Sequence, residues 1–408
     1  MAGRVQETRC TRETQINSGL SDLFVGREKE VSQVGNLLNL LQPKTRVVRV
    51  SGPRGSGKTT FLAYLHEEVI PKMESSCVST LVRISPNDLE GSHNKQNCLH
   101  IKNHPTKDVG DYRGLNTLLH FLASQYNIDF DSTLILLEKI DSIVKYIGSH
   151  RDTRFVLIID GEFNSWNEIK NMEKGFFRNL LSLENFYLII SEEGRPRTWT
   201  NNYVNEGAIF KLKPFEEPEL EDQVKKLGIP TINGDILQTI YDIGKGYPIF
   251  TDILAKAKDP LSKKTLVECI YRLFSELPYN KKEKNRIFDY LKALSVFDTF
   301  SEAEVRALFP KANAKEEITK LSRTGLISWK DGGYKIDPSL KAILDLYMDM
   351  YDPSVLLILG TAIAHLKELS NKKEYKKFKK IYEEKIRALI DRHDRLRVSS
   401  TPFFKTTF

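Results

Sequence analysis

Apolar residues recur along this chain with two periods. After a polar stretch of about twenty residues, Val31, Val34, Leu37, Leu38 and Leu41 follow the helical repeat. Residues 46–50 then read as a strand and 61–66 as a helix. The runs 154–160 and 186–191 are continuously apolar until a polar last residue, as parallel strands covered on both faces require. Further on, helical periodicity covers 285–296, 301–308 and 314–324, and 326–329 and 334–336 flank a turn, Lys330-Asp331-Gly332-Gly333. Three helices followed by a Gly-turn hairpin are the order of a winged helix. Tyr375, Phe378, Tyr382, Ile386, Leu389 and Leu396 recur at steps of three, four or seven, so an amphipathic helix is expected near the C-terminal end.

Length decides how these elements are grouped. A chain of 408 residues exceeds the roughly 250–300 residues that one core organises. The expected division is a polar leader 1–20, an α/β core with a parallel sheet 21–213, a helical lid 214–284, a winged helix 285–348 and a basic amphipathic helical extension 349–408. With 40% hydrophobic and 28% charged residues the composition is that of a globular protein, not of a disordered or fibrous one. Four scattered cysteines without a CxxC pair argue against a disulfide or zinc framework and fit a reducing, cytoplasmic setting. The first fifteen residues lack the apolar core of a signal peptide, and no apolar stretch approaches the roughly 20 residues of a membrane span, so no membrane partner is expected.

The net charge of +7 suggests a polyanionic partner until it is located. Between Lys367 and Arg397 lie 12 Lys and Arg against 6 Asp and Glu, and Lys405 adds one more, which leaves 48 of each sign in residues 1–366. The basic surplus is therefore a property of the C-terminal end, where it fits a docking element better than a nucleic-acid surface.

Candidate chemistry is concentrated between the first strand and its helix. Gly52-Pro53-Arg54-Gly55-Ser56-Gly57-Lys58-Thr59-Thr60 is the pattern GxxxxGK[ST] in the strand-to-helix context that makes it specific. Glycines let successive backbone N–H groups curl around a β-phosphate. The Lys58 cation reaches the β- and γ-phosphates and the Thr59 hydroxyl can ligand Mg²⁺. ATP with Mg²⁺ is the expected cofactor pair. Asp160, at the carboxyl end of its strand, lies where open α/β sheets hold ligands and can order the Mg²⁺ shell. Ser191 ends the next strand and can sense the γ-phosphate or the attacking water. Glu162 is the expected water-positioning carboxylate, offset by one residue because Gly161 follows Asp160 directly. That offset predicts slow hydrolysis, suited to a switch.

Together, Phe24-Val25-Gly26-Arg27-Glu28, the segment Gly52 to Thr60, Asp160 with Glu162-Phe163-Asn164, the strand ending at Ser191, Leu212-Lys213-Pro214-Phe215 and Gly246-Tyr247-Pro248 resemble the STAND-class P-loop ATPases, in particular their archaeal-type ATPase branch. The resemblance covers roughly residues 20–348. It implies an α/β P-loop NTPase core, a helical lid and a winged helix. It also implies that Pro248 packs against adenine while Val25, Gly26 and Arg27 line the base from the other side. Proteins of this class are regulatory switches that oligomerise on activation, often in immunity, so a homo-oligomer, a protein partner and a role in prokaryotic antiviral defence are expectations of the resemblance. Where many of these switches place a histidine on the β-phosphate of ADP, this chain has Asp337, whose carboxylate would repel phosphate; an ADP-locked resting state is therefore not expected.

An ATPase of the origin-recognition or transposition-regulator kind shares the core and winged helix and would use the basic end on DNA. Arg195 and Arg197 could reach a neighbouring subunit. His93, Cys98, His100 and His104 have zinc-ligand types but sit in a polar segment whose composition favours an exposed insertion. No repeat of 20–50 residues is visible, so sensing and output are expected from a partner chain or from the oligomer itself.

Overall fold

A computed structural model of the chain describes residues 24–40, 45–73, 76–84, 113–131, 133–161, 172–193, 198–229, 233–275, 277, 279–372 and 379–399. The chain divides into two compact units: residues 1–52, 56–213 and 221–228 form the first, and 53–55, 214–220 and 229–408 the second.

The first unit is built on a five-stranded parallel sheet of β1 (Val47–Gly52), β2 (Cys77–Ile84), β3 (Arg154–Gly161), β4 (Phe186–Glu193) and β5 (Ala208–Lys211), in the order β2-β3-β4-β1-β5. Alternation along each strand sends side chains to two separate cores. On one face Val48, Val50, Val156, Ile158, Tyr187 and Ile189 pack with Phe61 and Leu62 and with Val34 and Leu38 of the helix Glu28–Asn39. The opposite face buries Phe155, Leu157, Ile159, Leu188 and Ile190 with the helices Arg113–Gln125 and Leu136–Ser149. Strands covered on both sides explain the unbroken apolar runs. The helix Lys58–Tyr64 follows β1 directly and continues as a π-helical turn, Leu65–Val69.

In the second unit the helices Gly234–Gly244, Pro248–Lys256 and Lys263–Ser275 precede a winged helix. The latter comprises Lys281–Leu294, Glu302–Leu308, Ala314–Arg323 and the hairpin of β6 (Ile327–Lys330) and β7 (Gly333–Ile336). Phe300 and Tyr334 exchange backbone hydrogen bonds of 2.9 and 2.8 Å, which adds a third short arm to the wing. The helix Pro338–Tyr351 follows, then Val355–Asn371 and Lys379–Ser399. Among the described residues, the basic end is carried by the last turn of Val355–Asn371 and by Lys379–Ser399. Ile386 and Leu389 are buried as the spacing predicts, Leu396 is half-buried, and Tyr375 and Phe378 lie outside the described residues.

Candidate nucleotide site

The P-loop adopts backbone conformations that its glycines alone make easy. Gly55 and Gly57 have φ of +81° and +87°, in the left-handed region. At Gly52 the constraint is space: a Cβ would stand 2.7 Å from Ser56 Oγ and 2.9 Å from the Leu212 carbonyl. Ser56 is buried, and its hydroxyl meets no hydrogen-bond partner among the described residues. Thr59 is exposed and Thr60 half-buried on the helix that follows. Pro53, Arg54 and Gly55 belong to the second unit, within which the Gly55 carbonyl accepts from Ile249 N–H.

Lys58 is buried and its Nζ donates to the Gly52 carbonyl at 2.9 Å and to Glu193 Oε1 at 3.3 Å. The strand ends beside it are tied together. Ser191 Oγ accepts from Gly161 N–H at 2.8 Å and donates to Asp160 Oδ1 at 3.1 Å. Asp160 and Ser191 are both buried, so the sheet delivers an acid and a hydroxyl to one point, as β3 and β4 run side by side in parallel register. On the other sheet face Glu192 takes Arg49 in a two-point pair of 2.9 and 3.1 Å and accepts from Trp199 Nε1 at 2.7 Å, a buried network.

The segment before the sheet is also held. Gly26 and Arg27 have φ of +62° and +69°; the Arg27 guanidinium donates to the Lys213 carbonyl, and Lys226 Nζ donates to the Phe24 carbonyl at 2.6 Å. Phe24 stacks on Tyr64 at 3.9 Å, and Val25 is buried. Next to the P-loop helix, burial lowers the His66 pKa against the opposing charge of Glu67, and its Nδ1 lies 2.8 Å from Ser79 Oγ.

In the second unit Pro248 is the first residue of its helix. Gly246 before it has φ +74°, and a Cβ there would come 2.0 Å from the Phe215 carbonyl; Phe215 N–H in turn donates to the Gly246 carbonyl at 2.7 Å. Tyr247 Oη donates to Asp337 Oδ2 at 2.9 Å, while Asp337 Oδ1 caps the next helix by accepting from Ser339 N–H at 3.1 Å. Asp337 therefore has a structural employment that a histidine would not share.

The arrangement brings Lys58, Asp160 and Ser191 together within the first unit along with Gly52, Ser56, Gly57, Thr59 and Thr60. Glu162, Arg195, Arg197 and the segment with His93, Cys98, His100 and His104 lie outside the described residues. Among the described residues no cluster of three or more His, Cys, Asp or Glu could hold a metal ion. The residues present nevertheless fit a phosphate chain with Mg²⁺. A positive-φ glycine cradle, an unmatched buried Ser56 hydroxyl, a cation and a strand-end carboxylate are the donor set, and Mg²⁺ needs only one or two protein oxygens beside phosphates and water. Glu193 belongs to no motif; its signal in the sequence is the period of two from Ser191 along β4.

Residues 23–185 match the family model of the AAA ATPase domain. No curated protein matches the chain in sequence. Among solved structures, a Signal Transduction ATPase with Numerous Domains (STAND) protein with a tetratricopeptide repeat sensor from Pyrococcus horikoshii is 18% identical over 92% of this chain, with a TM-score of 0.36. This chain spans half the length of that protein. Cdc6p from Pyrobaculum aerophilum is 15% identical over 80% of this chain and 97% of its own, with a TM-score of 0.41. The RuvB Holliday junction branch migration motor from Thermotoga maritima is 14% identical over 79% and 95%, with a TM-score of 0.38.

Proposed function

We propose that this chain is a regulatory AAA-type P-loop ATPase: it binds ATP with Mg²⁺, hydrolyses it slowly, and uses the bound nucleotide to set whether it associates with further copies of itself or with a protein partner. The observation that carries this reading is the convergence of Lys58, the glycine cradle and the Ser191-bridged Asp160 at the ends of β1, β3 and β4. Lys58 meets the β- and γ-phosphates, Thr59 and Asp160 order Mg²⁺, Ser191 holds Asp160 in place, and Glu162 aims water at the γ-phosphorus. Bound Mg²⁺ supplies charge neutralisation on the phosphates. Val25, Gly26, Arg27 and Pro248 are assigned to the base, Pro53, Arg54, Gly55 and Thr60 to the phosphate loop.

The DNA-binding alternative has less support. Several cations of the winged helix are engaged by neighbouring carboxylates: Lys320 by Glu316, Lys335 by Asp331 and Arg286 by Glu317. A salt titration separates the two, because phosphate contacts make affinity fall steeply with salt.

The direct test is equilibrium nucleotide binding, turnover and particle mass with ATP, with ADP and with neither. Wild type is expected to bind both nucleotides and to change mass between states. Lys58→Ala is expected to lose about a hundredfold or more in affinity, as the charge-assisted phosphate contact is removed. Glu162→Gln is expected to retain binding and lose turnover. Rapid partner-independent turnover that Glu162→Gln leaves intact rejects the switch assignment.

A further inference from the structure

Strand alternation assigns the last three residues of β4 to opposite sides of the sheet. Tyr187 and Ile189 belong to the core that contains Phe61 and Leu62 of the P-loop helix, so Ser191 and Glu193 continue on that side. Leu188 and Ile190 belong to the other core, and Glu192 follows them into its pairing with Arg49 and Trp199. Two adjacent glutamates thus have separate assignments. Glu192 belongs to a structural network; Glu193 stands opposite Gly52 in the β1–β4 register and turns its Oε1 to Lys58 Nζ at 3.3 Å. Both side chains are about nine-tenths buried, at 10% and 11% exposure.

We propose that Glu193 is an internal counter-anion of the phosphate-binding lysine, a positioning residue that competes with the nucleotide's phosphates for Lys58 and thereby lowers nucleotide affinity. The inference rests on the ATP-binding reading above and deepens it. Its physical basis is that a carboxylate and a phosphate oxygen seek the same ammonium in a place where water screens charge poorly. While Glu193 holds the ammonium, Lys58 stays aimed across the mouth of the P-loop between the Gly52 carbonyl and the end of β4. A di- or triphosphate that arrives must take over that hydrogen bond, and its own negative charge repels the carboxylate. The attraction given up by the Lys58–Glu193 pair is subtracted from the binding energy of every nucleotide. A chain that held its P-loop lysine with neutral groups alone would bind the same ligand more tightly.

The experiment is an equilibrium titration of the full chain with ATP and ADP in Mg²⁺, for wild type, Glu193→Gln and Glu193→Ala, with thermal melting of each protein measured without nucleotide. Glu193→Gln keeps the shape and removes the charge. Affinity for both nucleotides is expected to rise on the order of tenfold or more in Glu193→Gln, and to rise also in Glu193→Ala. The KM for ATP is expected to fall in parallel, with kcat unchanged within about threefold, a split that marks lost competition in the ground state. A purely structural role predicts the opposite sign, weaker binding together with a lower melting temperature. Wild-type binding with no tightening in either variant overturns the inference while leaving the ATP assignment standing. Loss of nucleotide binding in wild type and variants alike removes the ATP assignment and the inference with it. If Glu193→Gln alone misfolds, the Glu193→Ala titration decides on the same sign.

Discussion

The Ser191 hydroxyl accepts from the Gly161 N–H and donates to Asp160, so one small side chain fixes the carboxylate and the backbone just after it. Removing it deletes two hydrogen bonds of about 1 kcal/mol each while leaving Lys58 and the glycine cradle in place. Ser191→Ala is accordingly expected to reduce ATP turnover about tenfold and to change nucleotide affinity by less than about threefold, because Asp160 loses its fixed aim. Turnover equal to wild type shows that Asp160 is positioned without Ser191. At this scale motif residues were legible in the sequence because their types are dictated by phosphate chemistry. Glu193 and the Tyr247–Asp337 bond were not, since each is defined by a neighbour far away in the chain: Lys58 is 135 residues from Glu193 and Tyr247 is 90 from Asp337.

Elements were legible wherever burial imposed a continuous or periodic pattern. β3 and β4 are covered on both faces, and their apolar runs mark them; the hairpin is marked by Gly332 and Gly333 at its turn. β5 has only four residues, alternates between half-buried and exposed at the sheet edge, and gives no such signal. Turns carry their own test. Gly246 and Gly332 both have positive φ, but a Cβ at Gly332 meets nothing within 4 Å whereas one at Gly246 meets the Phe215 carbonyl at 2.0 Å. Gly332→Ala is expected to cost about 1 kcal/mol for the left-handed backbone alone. Gly246→Ala adds displacement of the Phe215 segment and is expected to cost about 3 kcal/mol or more. Thermal melts of the two variants check the difference, and equal losses reject the close approach as the reason for glycine before Tyr247-Pro248.

Across the whole molecule, a +7 net charge reads as a hint of nucleic acid only until its location and pairing are known. The described helices of the basic end spend part of it internally: Arg392 joins Asp345 and Asp349, and Lys379 stands 3.8 Å from Glu383. What the count hid is a buried acid that links the winged helix to the C-terminal helices. Glu304 accepts from Ser301 N–H and Oγ at 2.7 and 2.6 Å, and its Oε1 lies 3.8 Å from His365 Nε2 on the helix Val355–Asn371. Burial pushes its pKa up, but His365 and the Ser301 hydrogen bonds outweigh that and hold it at about 2 instead of 4.5. Because the folded-state value is depressed, the group contributes stability that is complete above the unfolded-state pKa near 4.5 and is lost as pH falls toward 2. Urea midpoints of wild type and Glu304→Gln at pH 7, 4 and 3 measure it. Wild type is expected to be the more stable at pH 7, and the gap is expected to narrow steadily below pH 4.5; a gap that stays constant down to pH 3 means that the ionised form of Glu304 is not what stabilises this joint.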